Sequence, residues 1–361
     1  MATTDNRQLI SKLTFFPSYP LFAYANGYLY SYDGYETFDP FISIETMNSL
    51  ITLNPSKRHL IIPDTTHASS FLKWWTRPAG GTMNYQGSGA LDTTVDIEED
   101  FFMVLGHNFN ETQQSIGYTG NNPIEIVNGC LNNPPDYDGW SYMENTGSTL
   151  ASQMVTFNTG DACEVGSFLW GKKWEAPQNV DIGQSLQVSY GNKIQTTVGG
   201  KKISTMNYSG PNMWGDVHAW ELLPHLNKEL TNVHDAAPYW LGKQFDPPRT
   251  GLRTWKVKFS LMQSSQMMPQ NSMINNLQWD QDSTGNYDID ANGDSLTNIT
   301  ASNDFFSNVY RITQGNHLPC VIRISDSNNN DQFAIVRISQ YKITETNPKF
   351  VSISLTLEEQ V

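Results

Sequence analysis

The chain has few cysteines, few cationic side chains and no long apolar run. Its three cysteines, Cys130, Cys163 and Cys320, are widely spaced, without the short spacings of zinc or redox motifs. We therefore expect free thiols and maturation in a reducing cytoplasm. Lys and Arg total 22 against 36 Asp and Glu, a net charge of -14. This balance argues against binding nucleic acid through phosphate contacts.

Membrane and export signals are also missing from the sequence. No apolar stretch approaches the ~18 residues that a transmembrane helix needs. The N-terminal residues lack the charged and apolar regions of a signal peptide. We expect a soluble protein without membrane insertion, synthesised in the cytoplasm.

Motifs for catalysis are not found. The sequence contains no H-E-x-x-H, G-x-S-x-G, Walker A or dinucleotide-binding pattern. His107 follows an apolar run and could be catalytic, although a lone histidine at a strand end is more often structural. Cys163 lies in an apolar stretch, which favours a core position. We predict a protein that is not an enzyme, with no catalytic and no cofactor-binding residues.

The polarity that is present comes from uncharged side chains. Charged residues are 16% of the chain and aromatic residues 12%, which suits β-structure with long loops rather than disorder. Two segments alternate with period two, the pattern of a strand with one buried face. Their apolar positions are Val351, Ile353, Leu355 and Leu357 in one segment, and Trp255, Val257, Phe259 and Leu261 in the other.

The fold class that follows is mainly β, with an antiparallel β-sandwich and further strands at the C-terminal end of the chain. We divide the chain into an N-terminal arm with short strands (1–60), the sandwich (61–215), a helical connector and linker (216–250) and a C-terminal β-domain (251–361). That domain contains a polar loop, 262–303. A loop of this length in a compact domain usually has a function of its own.

Four local predictions accompany this division. The apolar run Phe101 to Leu105 is a core strand, and Gly199-Gly200 suits a two-residue hairpin. The aromatic residues of 13–30 form either an arm that contacts another subunit or a strand within their own domain. Loop 262–303 is the second candidate for a contact between subunits.

One segment resembles part of a calcium-binding loop. Asp288, Asp290, Asn292 and Asp294 place oxygen ligands two residues apart, and Gly293 permits a sharp turn. However, Ile299 stands where the bidentate glutamate of an EF-hand is expected. Two interpretations of this segment therefore stay open, a structural Ca²⁺ site and an acidic solvated loop.

Aromatic residues near a glycine-rich stretch suggest a sugar platform. Trp74, Trp75 and Tyr85 are the candidates, because aromatic faces stack on the C–H faces of pyranoses. The alternative is that these rings belong to the core or to an interface.

Beyond these motifs, several short sequence segments resemble segments of virion structural proteins of tailed phages. They recur in order over roughly residues 100–361, and their order and spacing carry the resemblance. The segments are 104–108, 165–171 followed by Pro177, 253–260, 304–306, 315–319, 331–334 and the last one, Ser354-Leu355-Thr356-Leu357-Glu358. The sequence departs from these virion proteins at Trp170 to Trp174, where Lys172 and Lys173 make the stretch more basic.

The resemblance implies a tail, baseplate or fibre-anchoring component of a virion. Such a protein would be synthesised in the host cytoplasm, assemble as a homo-oligomer and dock onto other virion proteins. The resemblance also implies a first sandwich of discoidin or jelly-roll type and a C-terminal β-barrel or sandwich similar to a tail hub. The first alternative is a carbohydrate-binding adhesin at the tail tip that attaches to a host surface glycan. The second is a β-rich polysaccharide depolymerase.

Overall fold

The structure of the protein is a computed structural model. It describes residues 10–26, 29–33, 43–55, 57–62, 69–76, 97–107, 116–119, 123–126, 140–150, 152–158, 162–189, 192–206, 252–267, 304–325, 333–347 and 349–360.

The described elements are mostly strands. In chain order they are β1 (Thr14–Pro17), β2 (Leu29–Asp33), β3 (His59–Ile61), β4 (Ser69–Thr76), β5 (Ile97–Leu105), β6 (Ile116–Thr119), β7 (Pro123–Ile126), β8 (Trp140–Leu150), β9 (Ser152–Asn158), β10 (Cys163–Val165), β11 (Ser167–Gly171), β12 (Trp174–Glu175), β13 (Ser185–Ser189), β14 (Asn192–Thr196), β15 (Lys202–Met206), β16 (Leu252–Gln263), β17 (Cys320–Arg323), β18 (Phe333–Asn347) and β19 (Phe350–Glu359). The described helices are α1 (Tyr19–Ala25), α2 (Ile44–Ser49), α3 (Ser264–Met267) and a π-helix (Phe306–Tyr310).

The largest unit is a curled antiparallel sheet of seven strands, in the order β12-β1-β17-β18-β19-β16-β13. Its central strands show the period-two alternation seen in the sequence. Val351, Ile353, Leu355 and Leu357 of β19 are buried in one hydrophobic cluster together with Trp255, Val257 and Phe259 of β16. The prediction of a mainly β fold is thus confirmed.

A three-stranded sheet, β11-β5-β8, lies in the middle of the molecule. Phe102 and Val104 of β5 pack in a cluster with Leu72 of β4 and Phe157 of β9. Phe101, Met103 and Leu105 point to the other side and pack in a separate cluster with residues of the seven-stranded sheet. A strand covered on both faces needs a continuous apolar run, so the predicted core strand is confirmed.

The five-stranded sheet β2-β4-β9-β6-β7 forms the outer layer beyond the middle sheet. Together these two sheets form a sandwich-like arrangement. One of their strands, β2, lies outside the range 61–215 that was expected for the sandwich. Two small two-stranded sheets, β3-β10 and β14-β15, complete the described architecture.

The N-terminal strand β1 lies inside the seven-stranded sheet, between β12 and β17. Phe15 and Phe16 are fully buried, and they pack into clusters on opposite faces of the strand. For this part of residues 13–30, the structure shows a strand packed within its own chain. The predicted domain boundaries stay a prediction, and the 216–250 connector lies outside the described residues.

Two sequence expectations near turns are wrong in detail. β14 and β15 do form a hairpin, but they pair only as far as Thr196 and Lys202, so five residues connect them. Thr197 closes this longer loop by donating its N–H to Lys201 O at 2.9 Å. The predicted two-residue turn at Gly199-Gly200 is therefore wrong, because the connecting loop has five residues.

The second correction concerns Leu261, which was expected on the buried face of β16. A β-bulge between Phe259 and Met262 shifts the register, so that Met262 is fully buried and Leu261 is 55% exposed. Beyond the bulge, β16 continues to Gln263 and α3 follows, and the rest of the 262–303 loop lies outside the described residues.

Candidate functional site

The outward face of β16, β19 and β18 is the most distinctive surface in the described part of the chain. Trp255, Val257 and Phe259 point into the core, so the residues between them point outward. Lys256 and Lys258 are accordingly exposed. Arg337 and Lys342 of β18 are exposed on the same side. We call Lys256, Lys258, Arg337 and Lys342 the basic sheet face.

The strand register fixes the spacing of these cations. Lys258 pairs with Ser354, and Ser354 pairs on its other side with Lys342. Two strand spacings separate the two lysine Cα atoms by about 10 Å. Lys256 and Thr356 form the next row. The residues of β19 in these two rows, Ser354 and Thr356, carry small hydroxyl side chains.

Two exposed aliphatic side chains lie at one end of this face. Ser260 Oγ donates to Asp181 Oδ2 at 2.6 Å, and Ser260 N donates to Asp181 Oδ1 at 3.3 Å. The residues that follow these two are Leu261, 55% exposed, and Ile182, fully exposed. Gln178 Nε2 also donates to Leu261 O at 3.0 Å. Hydrogen bonds therefore hold the backbone beneath both apolar side chains.

The backbone of Leu261 has a φ of +60°, the left-handed region that L-residues other than glycine, asparagine and aspartate rarely adopt. Bulges re-aim side chains. Here the bulge holds a strained, non-glycine residue whose side chain points into solvent. Core packing alone does not explain a leucine at this position.

The opposite end of the face is fixed by a buried ion pair between neighbouring strands. Glu359, 5% exposed, accepts from Arg253 Nη2 at 2.6 Å, from Arg253 Nε at 3.1 Å and from Arg253 N at 2.8 Å. The guanidinium also lies 4.9 Å from the ring of Trp255. Bidentate hydrogen bonds between a guanidinium and a carboxylate are strong and require a specific geometry. This ion pair therefore fixes the register of β16 against β19.

The predicted metal site cannot be placed, because Asp288, Asp290, Asn292 and Asp294 lie outside the described residues. Within the described ranges, no group of three or more histidine, cysteine, aspartate or glutamate side chains could hold a metal ion. The calcium site stays a prediction.

The predicted glycan platform is only partly placed. Trp74 and Trp75 are consecutive residues of β4, opposite Gln153 and Ser152 of β9. Tyr85 lies outside the described residues. Glycan binding also stays a prediction.

His107 is buried at the end of the middle sheet. Its Nε2 lies 2.7 Å from Ser141 Oγ, and the two residues are 1% and 2% exposed. A histidine beside a serine hydroxyl is the contact used to activate a nucleophile. A substrate cannot reach this one, so we assign the pair to the packing of β5 against β8.

Two of the cysteines are buried free thiols. Cys163 is fully buried, as its apolar context predicted. Burial raises the pKa of the Cys163 thiol to about 12, with the carboxylate of Glu164 adding to the effect. Burial alone raises the pKa of the Cys320 thiol to about 12. Both are therefore protonated and unreactive near neutral pH.

The cationic residues of the sheet face were not singled out from the sequence. Lys256 and Lys258 alternate with Val257 and Phe259, which is a readable signal for an outward basic row. Their proximity to Lys342 depends on strand pairing over a long sequence separation. No helix in the described part of the chain is long and apolar enough to span a membrane.

Comparisons with protein-family models, with curated proteins and with solved structures gave no match for the chain.

Proposed function

We propose that the protein is a structural component of a tailed-phage virion, in its tail, baseplate or fibre-anchoring apparatus. It acts by associating with copies of itself and with neighbouring virion proteins. The sequence resemblance supports the virion setting. Among the described residues, β13 is an edge strand of the seven-stranded sheet. This edge supports association and is the observation on which the proposal depends.

Within the described part of the chain, β13 has one neighbouring strand, β16. Four of its five residues are exposed, and Val188 presents an apolar side chain that is 42% exposed. An edge strand offers backbone N–H and C=O groups to an incoming strand. Such an edge can be completed by another protein chain.

The hairpin that follows β13 adds a second exposed element. β14 and β15 pair with each other and with no other described strand. Val198, in the loop between them, is fully exposed. A two-stranded hairpin is at best marginally stable alone in water, so a covering partner would stabilise this one.

The virion proposal is tested on intact particles. Antibodies raised against the recombinant chain, with quantitative peptide mass spectrometry, should detect several copies per purified particle. An image of the particle at subnanometre resolution should place them in a ring of the tail apparatus. Failure to detect the chain in purified particles that infect normally would contradict the proposal.

The role of the β13 edge is tested with a lysine, the residue that natural edge strands use to prevent pairing. We expect Val188→Lys to raise the dissociation constant for self-association by about tenfold, or about 1.4 kcal/mol. Sedimentation velocity over a concentration series measures it. Ile62→Lys is the control, because it introduces the same side chain at another exposed apolar position, outside the seven-stranded sheet and the hairpin. Equal dissociation constants for Val188→Lys and the wild type would contradict an association through this edge.

A further inference from the structure

The basic sheet face carries a local charge opposite to that of the whole chain. Among the described residues, Glu358 lies on the same face opposite Arg337, and the Asp181 carboxylate accepts from Ser260 at its end. In the described part of the chain, Lys256, Lys258 and Lys342 form no ion pair. These lysines are therefore available to an external anionic group.

The remainder of the molecule is strongly acidic. The whole chain has a net charge of -14, and the basic sheet face holds four of its 22 Lys and Arg residues. Without these four cations, the rest of the chain has a net charge of -18, which is -14 minus 4. Each additional copy of the chain thus brings acidic surface that complements the basic sheet face.

The apolar side chains beside this face narrow the choice of partner. Ile182 and Leu261 are exposed at its end, over a backbone held by the Ser260 to Asp181 hydrogen bonds. Apolar anchors next to charged groups are typical of protein interfaces, in which a buried apolar centre is bordered by polar contacts. A phosphate or sugar backbone offers no equivalent counterpart for two aliphatic groups.

We propose that the basic sheet face, together with Leu261 and Ile182, binds an acidic surface of a second copy of this chain. This inference rests on the self-assembly in the proposed function and identifies one of its contacts. Because the two contacting surfaces differ, the contact is heterologous. Repeated around an axis it closes a ring, and otherwise it extends a filament.

The test is a charge reversal with a matched control on the full-length chain. The test variant is Lys258→Glu. The control variant is Lys57→Glu, which changes the net charge by the same amount at an exposed lysine outside both the seven-stranded sheet and the β14–β15 hairpin. The control therefore corrects for the general repulsion between more acidic chains.

We expect the test variant to associate at least about tenfold more weakly than the control variant, by sedimentation velocity in about 0.1 M salt. Raising the salt to about 0.5 M should weaken association of the wild type, because exposed charges are then screened within a few ångströms. Circular dichroism and thermal unfolding of both variants check that each is folded. Replacing Leu261 by serine should weaken association independently of salt.

The outcomes separate this inference from the proposed function. If the wild type and both variants associate equally, the basic sheet face is not the contact, and self-assembly stands. If the wild type is monomeric at all concentrations and yet occurs in purified particles, the self-contact is wrong and the virion assignment stands. If the wild type is monomeric and binds heparin, and the test variant does not, the face takes a polyanion instead of a second copy.

Discussion

Leu53 and Leu261 are two leucines with the same strained backbone and opposite surroundings. Their φ angles are +53° and +60°. Leu53 is 2% exposed and Leu261 is 55% exposed. The left-handed conformation costs an L-residue about 1–2 kcal/mol, and glycine adopts it freely but loses about 0.5–1 kcal/mol more on folding.

We expect Leu261→Gly to leave the free energy of unfolding unchanged or to raise it by up to about 1 kcal/mol, because relief of strain outweighs the loss of an exposed side chain. Leu53→Gly should lower it by at least about 2 kcal/mol, because a buried leucine is removed from the core. Urea unfolding in about 0.5 M salt, where association is weak, measures both. A loss above about 1 kcal/mol for Leu261→Gly would show that its side chain stabilises the fold.

At the scale of elements, the loop between β10 and β11 is held against residue Pro55. A Cβ added at Gly166 would lie 2.4 Å from Pro55 O and 2.7 Å from Pro55 Cα, both backbone atoms. Gly166 also donates its N–H to Leu105 O at 3.1 Å. Any side chain here must push apart the segments that join β3, β5 and β11.

Gly166→Ala should therefore destabilise the protein by about 1–3 kcal/mol, the cost of overpacking. Gly183→Ala is the control, because its Cβ would meet nothing within 4 Å. We expect the control to change the free energy of unfolding by less than about 1 kcal/mol, in either direction. Thermal unfolding of both variants provides the comparison, and equal stabilities would argue against a close contact at Pro55.

The elements also show which features the sequence could predict. β19 was predictable because Val351 to Leu357 repeat with the period of a strand whose one face is buried, and nothing interrupts them. β16 was predictable as far as Phe259. Beyond it, a bulge exchanged the roles of Leu261 and Met262, and both residues are apolar, so no local pattern distinguishes the two registers.

The candidate site was less accessible to sequence reasoning than the fold. The outward direction of Lys256 and Lys258 follows from local alternation, and their grouping with Lys342 does not. That grouping depends on β19 lying between β16 and β18, which is decided by tertiary packing. The contact of His107 with Ser141 could not be predicted from the sequence either, because it depends on the pairing of β5 with β8.

At the scale of the whole molecule, β1 links the middle sheet to the seven-stranded sheet. Phe16 lies 5.1 Å from Phe101, 5.5 Å from Tyr142 and 5.9 Å from Phe333, measured between ring centroids. Two of these rings belong to the middle sheet and one to the seven-stranded sheet. Edge contacts between aromatic rings add to the large apolar area that they bury.

We expect Phe16→Ala to lower the free energy of unfolding by about 3–5 kcal/mol, because it opens a cavity between the two sheets. Tyr24→Ala, at a ring that is 44% exposed, is the control and should change it by less than about 1 kcal/mol. Chemical denaturation followed by tryptophan fluorescence measures both. If Phe16→Ala lowers stability by less than 1 kcal/mol, the two sheets are not coupled through β1.

The pairing of β1 with β17 also has a consequence for biosynthesis. Phe15 lies opposite Ile322, so β1 is synthesised roughly 300 residues before its partner strand. At about 5–20 residues per second, the intervening chain takes about 15–60 s to emerge. During that time Phe15 and Phe16, which are fully buried in the folded protein, cannot yet pack against β17. The seven-stranded sheet can therefore be completed only after β17 has left the ribosome.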